Sequence, residues 1–282
     1  MKDQKIRKPG VVGLFYPASP EGIIDMIESA LGQERVMMKD REPGIQVYGG
    51  VVPHAGMVYC AAQTVHFFEY IRQSGQKPDT VVIVHPNHTG YGPDVSIDGF
   101  THWETPLGLV PVDREFADLL DFSVSDEAQH GEHSAEVLVP YLQYFMGKDT
   151  RIVSVNMFSQ SHKKAMMAAK KVYDVAAGLK RKIIVLASSD FSHFLSPEDS
   201  VVLDDKVLNA IFRKDGPGVE EEVRKHHVSV CGYGPIMVMM EYAGFRNSKY
   251  AVNMLRRGHS GEVSPSRKVV NYISLLFSEK SM

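Results

Sequence analysis

Cysteine is nearly absent: Cys60 and Cys231 are the two in 282 residues, and they form no Cys-x-x-Cys pair. That excludes a disulfide scaffold and suits a reducing, cytoplasmic setting. No run of about 18 apolar residues occurs, so no membrane-spanning helix is expected. The basic stretch 1–9 leads into no long apolar segment, so no signal peptide is read. An excess of positive charge is also missing. The formal net charge is −3, and no Lys/Arg run exceeds a few residues. Nucleic acid and membrane surfaces are therefore not expected partners. Local motifs are lacking too. There is no G-x-G-x-x-G or Walker loop for a nucleotide, no G-x-S-x-G elbow for a serine nucleophile, and no His-Glu-x-x-His helix for zinc.

What remains is a chain with 44% hydrophobic and 23% charged residues, enough apolar material for a large core. Helical and strand patterns alternate from end to end, with no linker, low-complexity segment or repeat. The expectation is a single α/β domain over residues 1–282. It would be a sandwich in which helices flank both faces of a mixed β-sheet. Residues 1–19 read as an arm. Helices are expected over residues 20–31, 58–73, 113–120, 137–145, 160–179, 198–213, 217–226 and 233–242, with Ser19 and Ser134 as N-caps. Strands are expected over 46–52, 80–84, 151–155, 182–187, 250–256 and 267–277. Residues 34–44 read as a charged loop, and 90–111 as an irregular excursion of the kind that roofs a site.

Four apolar runs stop abruptly at chemically capable side chains. Residues 81–90 read Val-Val-Ile-Val-His-Pro-Asn-His-Thr-Gly and deliver His85 and His88 to a turn. Val51-Val52 runs into Pro53-His54-Ala55-Gly56. Residues 183–186 run into Ser188-Ser189-Asp190-Phe191-Ser192-His193. The short stretch Val228-Ser229-Val230 runs into Cys231-Gly232. In open α/β sheets, ligand sites collect at strand ends.

Taken residue by residue, these positions leave alternatives open. His54 and His88 suit metal ligands or turn histidines holding a backbone carbonyl. His85, nearer the strand body, suits a buried hydrogen-bonded role. Cys231 is an inert thiol or, just before a helix start where amide dipoles favour thiolate, a metal ligand. Asp190 and His193, three apart in a polar turn, can orient each other for proton transfer, or simply cap their own loop. His130 and His133 with Glu132 and Glu136 make a second polar cluster, or a solvated helix start.

Together, Pro53-His-Ala-Gly-Met-Val-Tyr-Cys, the Pro86-Asn87-His88 turn, Glu132-His-Ser-Ala-Glu with Pro140-Tyr141, Ser188-Ser-Asp-Phe-Ser-His and Cys231-Gly-x-x-Pro-Ile resemble the Memo family. Its prokaryotic members are described as protein B of the AmmeMemoRadiSam system, which implies radical SAM system partners. The resemblance also implies a fold like that of class III extradiol dioxygenases, which hold non-haem Fe(II). By position it implies His54, His88 and Cys231 as metal ligands. His193 and Asp190 would be catalytic, and His133 and Glu136 would line the same cavity, with His85 beside the site. His85 stands where the family is expected to carry glycine, and the family's double histidine is His88-Thr89 here.

The cofactor implied is Fe(II), with copper or zinc as alternatives. The function implied is a metal-dependent, oxidoreductase-like activity on an unidentified small molecule. A thiolate ligand lowers Lewis acidity relative to a carboxylate, so ring cleavage does not transfer with the fold. The alternative is a non-enzymatic peptide- or partner-binding protein, or a metal carrier, using the same cavity. A third reading is zinc-dependent hydrolysis with His193 as base.

Overall fold

A computed structural model describes residues 4–38, 44–147 and 149–279. In chain order the strands and helices are β1 (Ile6–Arg7), α1 (Pro20–Glu34), β2 (Val47–Val52), α2 (Met57–Ser74), β3 (Thr80–Pro86), β4 (Val95–Ile97), β5 (His102–Thr105) and β6 (Gly108–Pro111). Next come α3 (Arg114–Leu119), β7 (Ser123–Val124), α4 (Val139–Met146), β8 (Arg151–Met157), α5 (His162–Gly178) and β9 (Ile183–Ser188). The chain closes with β10 (His193–Leu195), α6 (Pro197–Phe212), α7 (Gly216–His226), α8 (Tyr233–Arg246), β11 (Ala251–His259) and β12 (Val269–Ser278). Of the loop expected over 34–44, residues 39–43 lie outside the described residues.

The main sheet runs β10-β12-β2-β9-β3-β8-β4-β7, with β11 also paired to β12. Its centre, β2-β9-β3-β8, is parallel, whereas β12 against β2 and β4 against β8 are antiparallel. β2 and β3 are consecutive in sequence, yet β9 lies between them. The central parallel strands are mostly apolar because both of their faces are covered. Val82, Val84, Val185 and Ala187 face a core shared with α5 and α8. Val81, Ile83, Ile184 and Leu186 face the opposite core, shared with α1, α2 and α4. Each such side chain contributes about 1.5–3 kcal/mol by leaving water. The result is the expected α/β architecture, a mixed sheet between helical layers.

Local chemistry sets most boundaries. Ser19 caps α1 by accepting from Gly22 N at 3.1 Å, with Pro20 in the first turn. Gly50 is needed within β2, because a Cβ there would collide with the Phe67 ring. The excursion over 90–111 supplies β5 and β6, and the arm joins them through β1, which pairs in parallel with β5.

Two expectations do not hold. Ser134 does not cap a helix. A 3-10 turn over Glu136–Leu138 comes first and α4 begins at Val139. The Ser134 hydroxyl is taken by Glu132 Oε1 at 2.7 Å and Pro86 O at 3.1 Å. Residues 228–230 form no strand. They link α7 to α8, and their polar groups serve His193 instead of a sheet.

Candidate metal centre

The parallel register places Val52 beside Ser188 and Val84 beside Ala187. The loops that leave β2, β9 and β3 therefore emerge together at one edge of the sheet. That brings His54, Asp190 and His88 into one site, as strand ends in an α/β sheet commonly do.

His54 is buried, and its tautomer follows from its neighbours. Ser188 Oγ gives its single proton to Ser134 O at 2.6 Å. It must then accept from His54 Nδ1, 2.8 Å away. His54 thus carries its proton on Nδ1 and offers the lone pair on Nε2. Asp190 Oδ1 accepts from His54 N at 2.8 Å and holds this loop in place. His88 is oriented the same way. Its Nδ1 lies 2.9 Å from Glu132 Oε1, and its backbone N donates to Glu132 Oε2 at 2.5 Å. Although burial opposes ionisation, hydrogen bonds from His88 and the nearby His85 and His88 rings hold the Glu132 carboxyl far below its usual range. The carboxylate therefore accepts from Nδ1, so Nε2 is the ring nitrogen left for a ligand bond.

His133 completes the cluster. Donor atoms of His54, His88 and His133 lie within 4.8 Å of one another. The His133 ring stacks on His88 at 4.7 Å and lies 4.6 Å from Phe15 of the arm. Burial, then the His88 ring, lowers His133 to about 4. Burial, then His88 and His133, pushes His54 well below its usual value. Both rings are neutral near pH 7, the form that binds metal. Three converging imidazoles with a buried carboxylate behind them fit a divalent transition-metal ion.

Cys231 reaches the edge of this cluster. Its Sγ is 3.1 Å from His54 Nε2 and accepts from Asp190 N at 3.2 Å. Gly232 makes this approach feasible, because a Cβ there would run into the Ser188 carbonyl. Burial and then the Asp190 carboxylate push the thiol well above its usual value. Of the two forms the sequence leaves open for Cys231, burial and the Asp190 charge favour the thiol over the helix-start dipoles when no cation is bound.

Asp190 and His193, which the sequence leaves free either to orient each other or to cap their loop, each take another partner. Asp190 is engaged with the His54 backbone, while His193 Nδ1 lies 2.8 Å from Ser229 O. A carbonyl only accepts, so His193 carries a proton on Nδ1, and Nε2 is its other ring nitrogen. Burial raises Asp190 to about 6. His85 takes the structural role: Nδ1 is 2.9 Å from Ser134 Oγ and Nε2 is 2.9 Å from Ser154 Oγ. Both its nitrogens are used, and burial lowers it to about 4.

Glu136 does not form the cavity wall expected of it. Its carboxylate faces the arm, accepting from Arg7 Nη1 at 2.6 Å, Val11 N at 3.0 Å, Tyr16 Oη at 2.8 Å and Gly10 N. The orienting roles of Glu132 and Ser188 were missed. Glu132, directly preceding His133, offered a signal only as part of a polar cluster. A cavity of about 500 Å³ lies elsewhere, lined by Lys77, Arg181, Lys182 and Arg246 near the opposite strand ends. None of the metal-capable side chains lines it. Among the described residues no helix is long and apolar enough to cross a membrane.

A sequence profile described as "Memo-like protein" matches residues 7–276. A Pyrobaculum arsenaticum protein named "MEMO1 family protein" is 36% identical over 284 residues, covering 97% of this chain and 99% of its own. A Methanosarcina acetivorans protein of the same name is 34% identical over 276 residues, covering 96% and 99%. A far more distant likeness is to the crystal structure of an uncharacterised Escherichia coli K12 protein, JW3007. It is 11% identical with a TM-score of 0.49, covering 74% of this chain and 90% of the other, too slight to bear on function. The match to the profile and to relatives along nearly the whole length shows that the chain belongs to the Memo-like protein family.

Proposed function

We propose that this protein binds a transition-metal ion through His54 and His88 and uses it in oxidoreductase-like chemistry on a small molecule. The observation that carries the reading is the convergence of imidazoles whose far nitrogens are already fixed by Ser188 and Glu132. The third ligand is Cys231 by family resemblance, and His133 stands within the same cluster. Iron(II) is the ion favoured, with copper or zinc as alternatives. Iron or copper would supply one-electron chemistry, and any of the three would polarise an oxygen donor of the substrate. The residues around it bind and move protons. Glu132 holds the His88 tautomer, and Asp190 anchors the His54 loop. His193 offers Nε2 as the proton acceptor. A reducing, cytoplasmic setting belongs to this reading and agrees with both cysteines being free. A radical SAM partner belongs to it as well, on the resemblance alone.

The test is metal analysis after anaerobic purification, with iron(II), copper and zinc offered in turn. One equivalent in the parent, lost in His54→Ala and His88→Ala, is the expected result. A folded parent that takes up none of the three overturns the reading. Oxygen uptake by the iron(II) form with catechols then separates enzyme from carrier: silence there puts the peptide-binding or metal-carrier role ahead.

A further inference from the structure

Among the described residues, Asp121, Lys180, Phe194, Lys214 and His227 are the non-glycine residues with positive φ. Four of them close helices: Asp121 follows α3, Lys180 follows α5, Lys214 follows α6 and His227 caps α7. A left-handed residue is common at that position. Phe194 differs. It lies inside β10 with φ 61°, where a bulky aromatic residue is a genuine outlier. Its side chain is not buried in compensation, since Phe194 is 70% exposed. Two local costs, strain and an exposed aromatic ring, thus meet at one residue.

The position explains what these costs achieve. β10 pairs with β12 as His193 with Val270 and Leu195 with Val269, so the register slips at Phe194. A bulge of this kind re-aims a side chain beside a site. The Phe194 ring lies 5.9 Å from the His193 ring at 61°. His193 is itself pinned from both its backbone N and its Nδ1 by Ser229, at 2.8 Å each. The irregular backbone therefore holds an exposed aromatic ring edge-to-face with the histidine that Ser229 fixes two residues from Cys231. Strain that persists at such a place points to function.

We infer that Phe194 is a specificity-determining residue of the proposed centre, presenting a stacking surface to an aromatic group of the ligand. This rests on the metal-centre reading above. An aromatic ligand is favoured over an aliphatic one because ring–ring contact adds a quadrupole attraction beyond burial.

The test compares the parent, Phe194→Asn and Phe194→Trp, each loaded with zinc, or with iron(II) under nitrogen if zinc is not taken up. Two metal-chelating probes are titrated by calorimetry: acetohydroxamate, and 4-phenylbenzohydroxamate with its two rings. Asparagine accepts left-handed φ readily, so Phe194→Asn melts at or above the parent and takes up metal equally well. It binds acetohydroxamate like the parent and the aryl probe about three- to tenfold more weakly. Phe194→Trp restores aryl binding. A Phe194→Asn protein that binds both probes like the parent, or loses both alike, overturns the inference. So does a melting temperature more than about 5 °C lower, which makes Phe194 structural. A parent that takes up no metal removes the metal-centre reading and this inference with it, and is told apart from the other outcomes by the metal analysis.

Discussion

Cys231 Sγ lies 3.1 Å from Nε2 of His54, although the two residues are 177 positions apart. That nitrogen carries the lone pair, and the thiol is held protonated by burial and by Asp190. Without a cation the pair is a thiol facing an imidazole. With one, thiolate formation is driven by the metal. Cobalt(II) substitution reports on this directly. The parent shows an intense near-ultraviolet sulfur-to-metal band, and Cys231→Ser lacks it while His133→Ala keeps it. A parent without that band identifies His133 as the third ligand.

Glu132 orients His88 through two contacts, one to the ring and one to the backbone. Glu132→Gln keeps the shape but weakens control of the tautomer. Metal affinity falls about 10- to 100-fold, as for other partners that orient ligating histidines. Competition against a chelator of known affinity measures it. An unchanged affinity shows that His88 is held by packing alone.

Glu136 gathers Arg7, Gly10, Val11 and Tyr16 around one buried carboxylate. Glu136→Ala leaves the buried Arg7 without its partner and costs about 3–5 kcal/mol. Amide exchange of residues 10–16 rises more than that of β3 or β9. Phe15, which contacts His133, moves with the arm, so metal uptake weakens as well.

Glu34 carries the clearest dependence on pH away from the site. Burial raises its pKa, but hydrogen bonds from Arg256 at 2.8 Å and His66 at 2.8 Å outweigh it, and the net shift is downward from 4.5. A carboxyl whose folded pKa is depressed stabilises the fold above its unfolded value, and that stability is lost as the pH falls through the folded value. The advantage of the parent over Glu34→Gln in urea is therefore full at pH 6–7 and shrinks as the pH drops below about 4.5. An advantage that grows in acid contradicts this sign.

Much of the fold is legible in the chain itself. The runs at 81–84 and 183–186 are apolar at every position, and only strands covered on both faces need that. Ser19-Pro20 marks the start of α1 by chemistry that needs no tertiary partner. The failures are instructive for the same reason. Val228-Ser229-Val230 has strand-like composition, but a strand needs a neighbour with open hydrogen-bonding groups, and Ser229 is spent on His193. Ser134 has the chemistry of an N-cap, but its hydroxyl is claimed by Glu132.

The sequence alone determined the alternation of elements, the apolar cores and the strand ends at which His54, His88 and Asp190 appear, because these depend on composition and period along the chain. The tertiary structure decided the rest. Inserting β9 between β2 and β3 sets Ser188 against His54 and so selects its tautomer. The loop after β7 brings Glu132 and His133 onto His88, and the turn between α7 and α8 brings Cys231 to His54 and Ser229 to His193. Lone-pair direction, protonation and the assignment of Glu136 to the arm depend on atoms from 36 to more than 100 positions apart, and no local pattern encodes such distances.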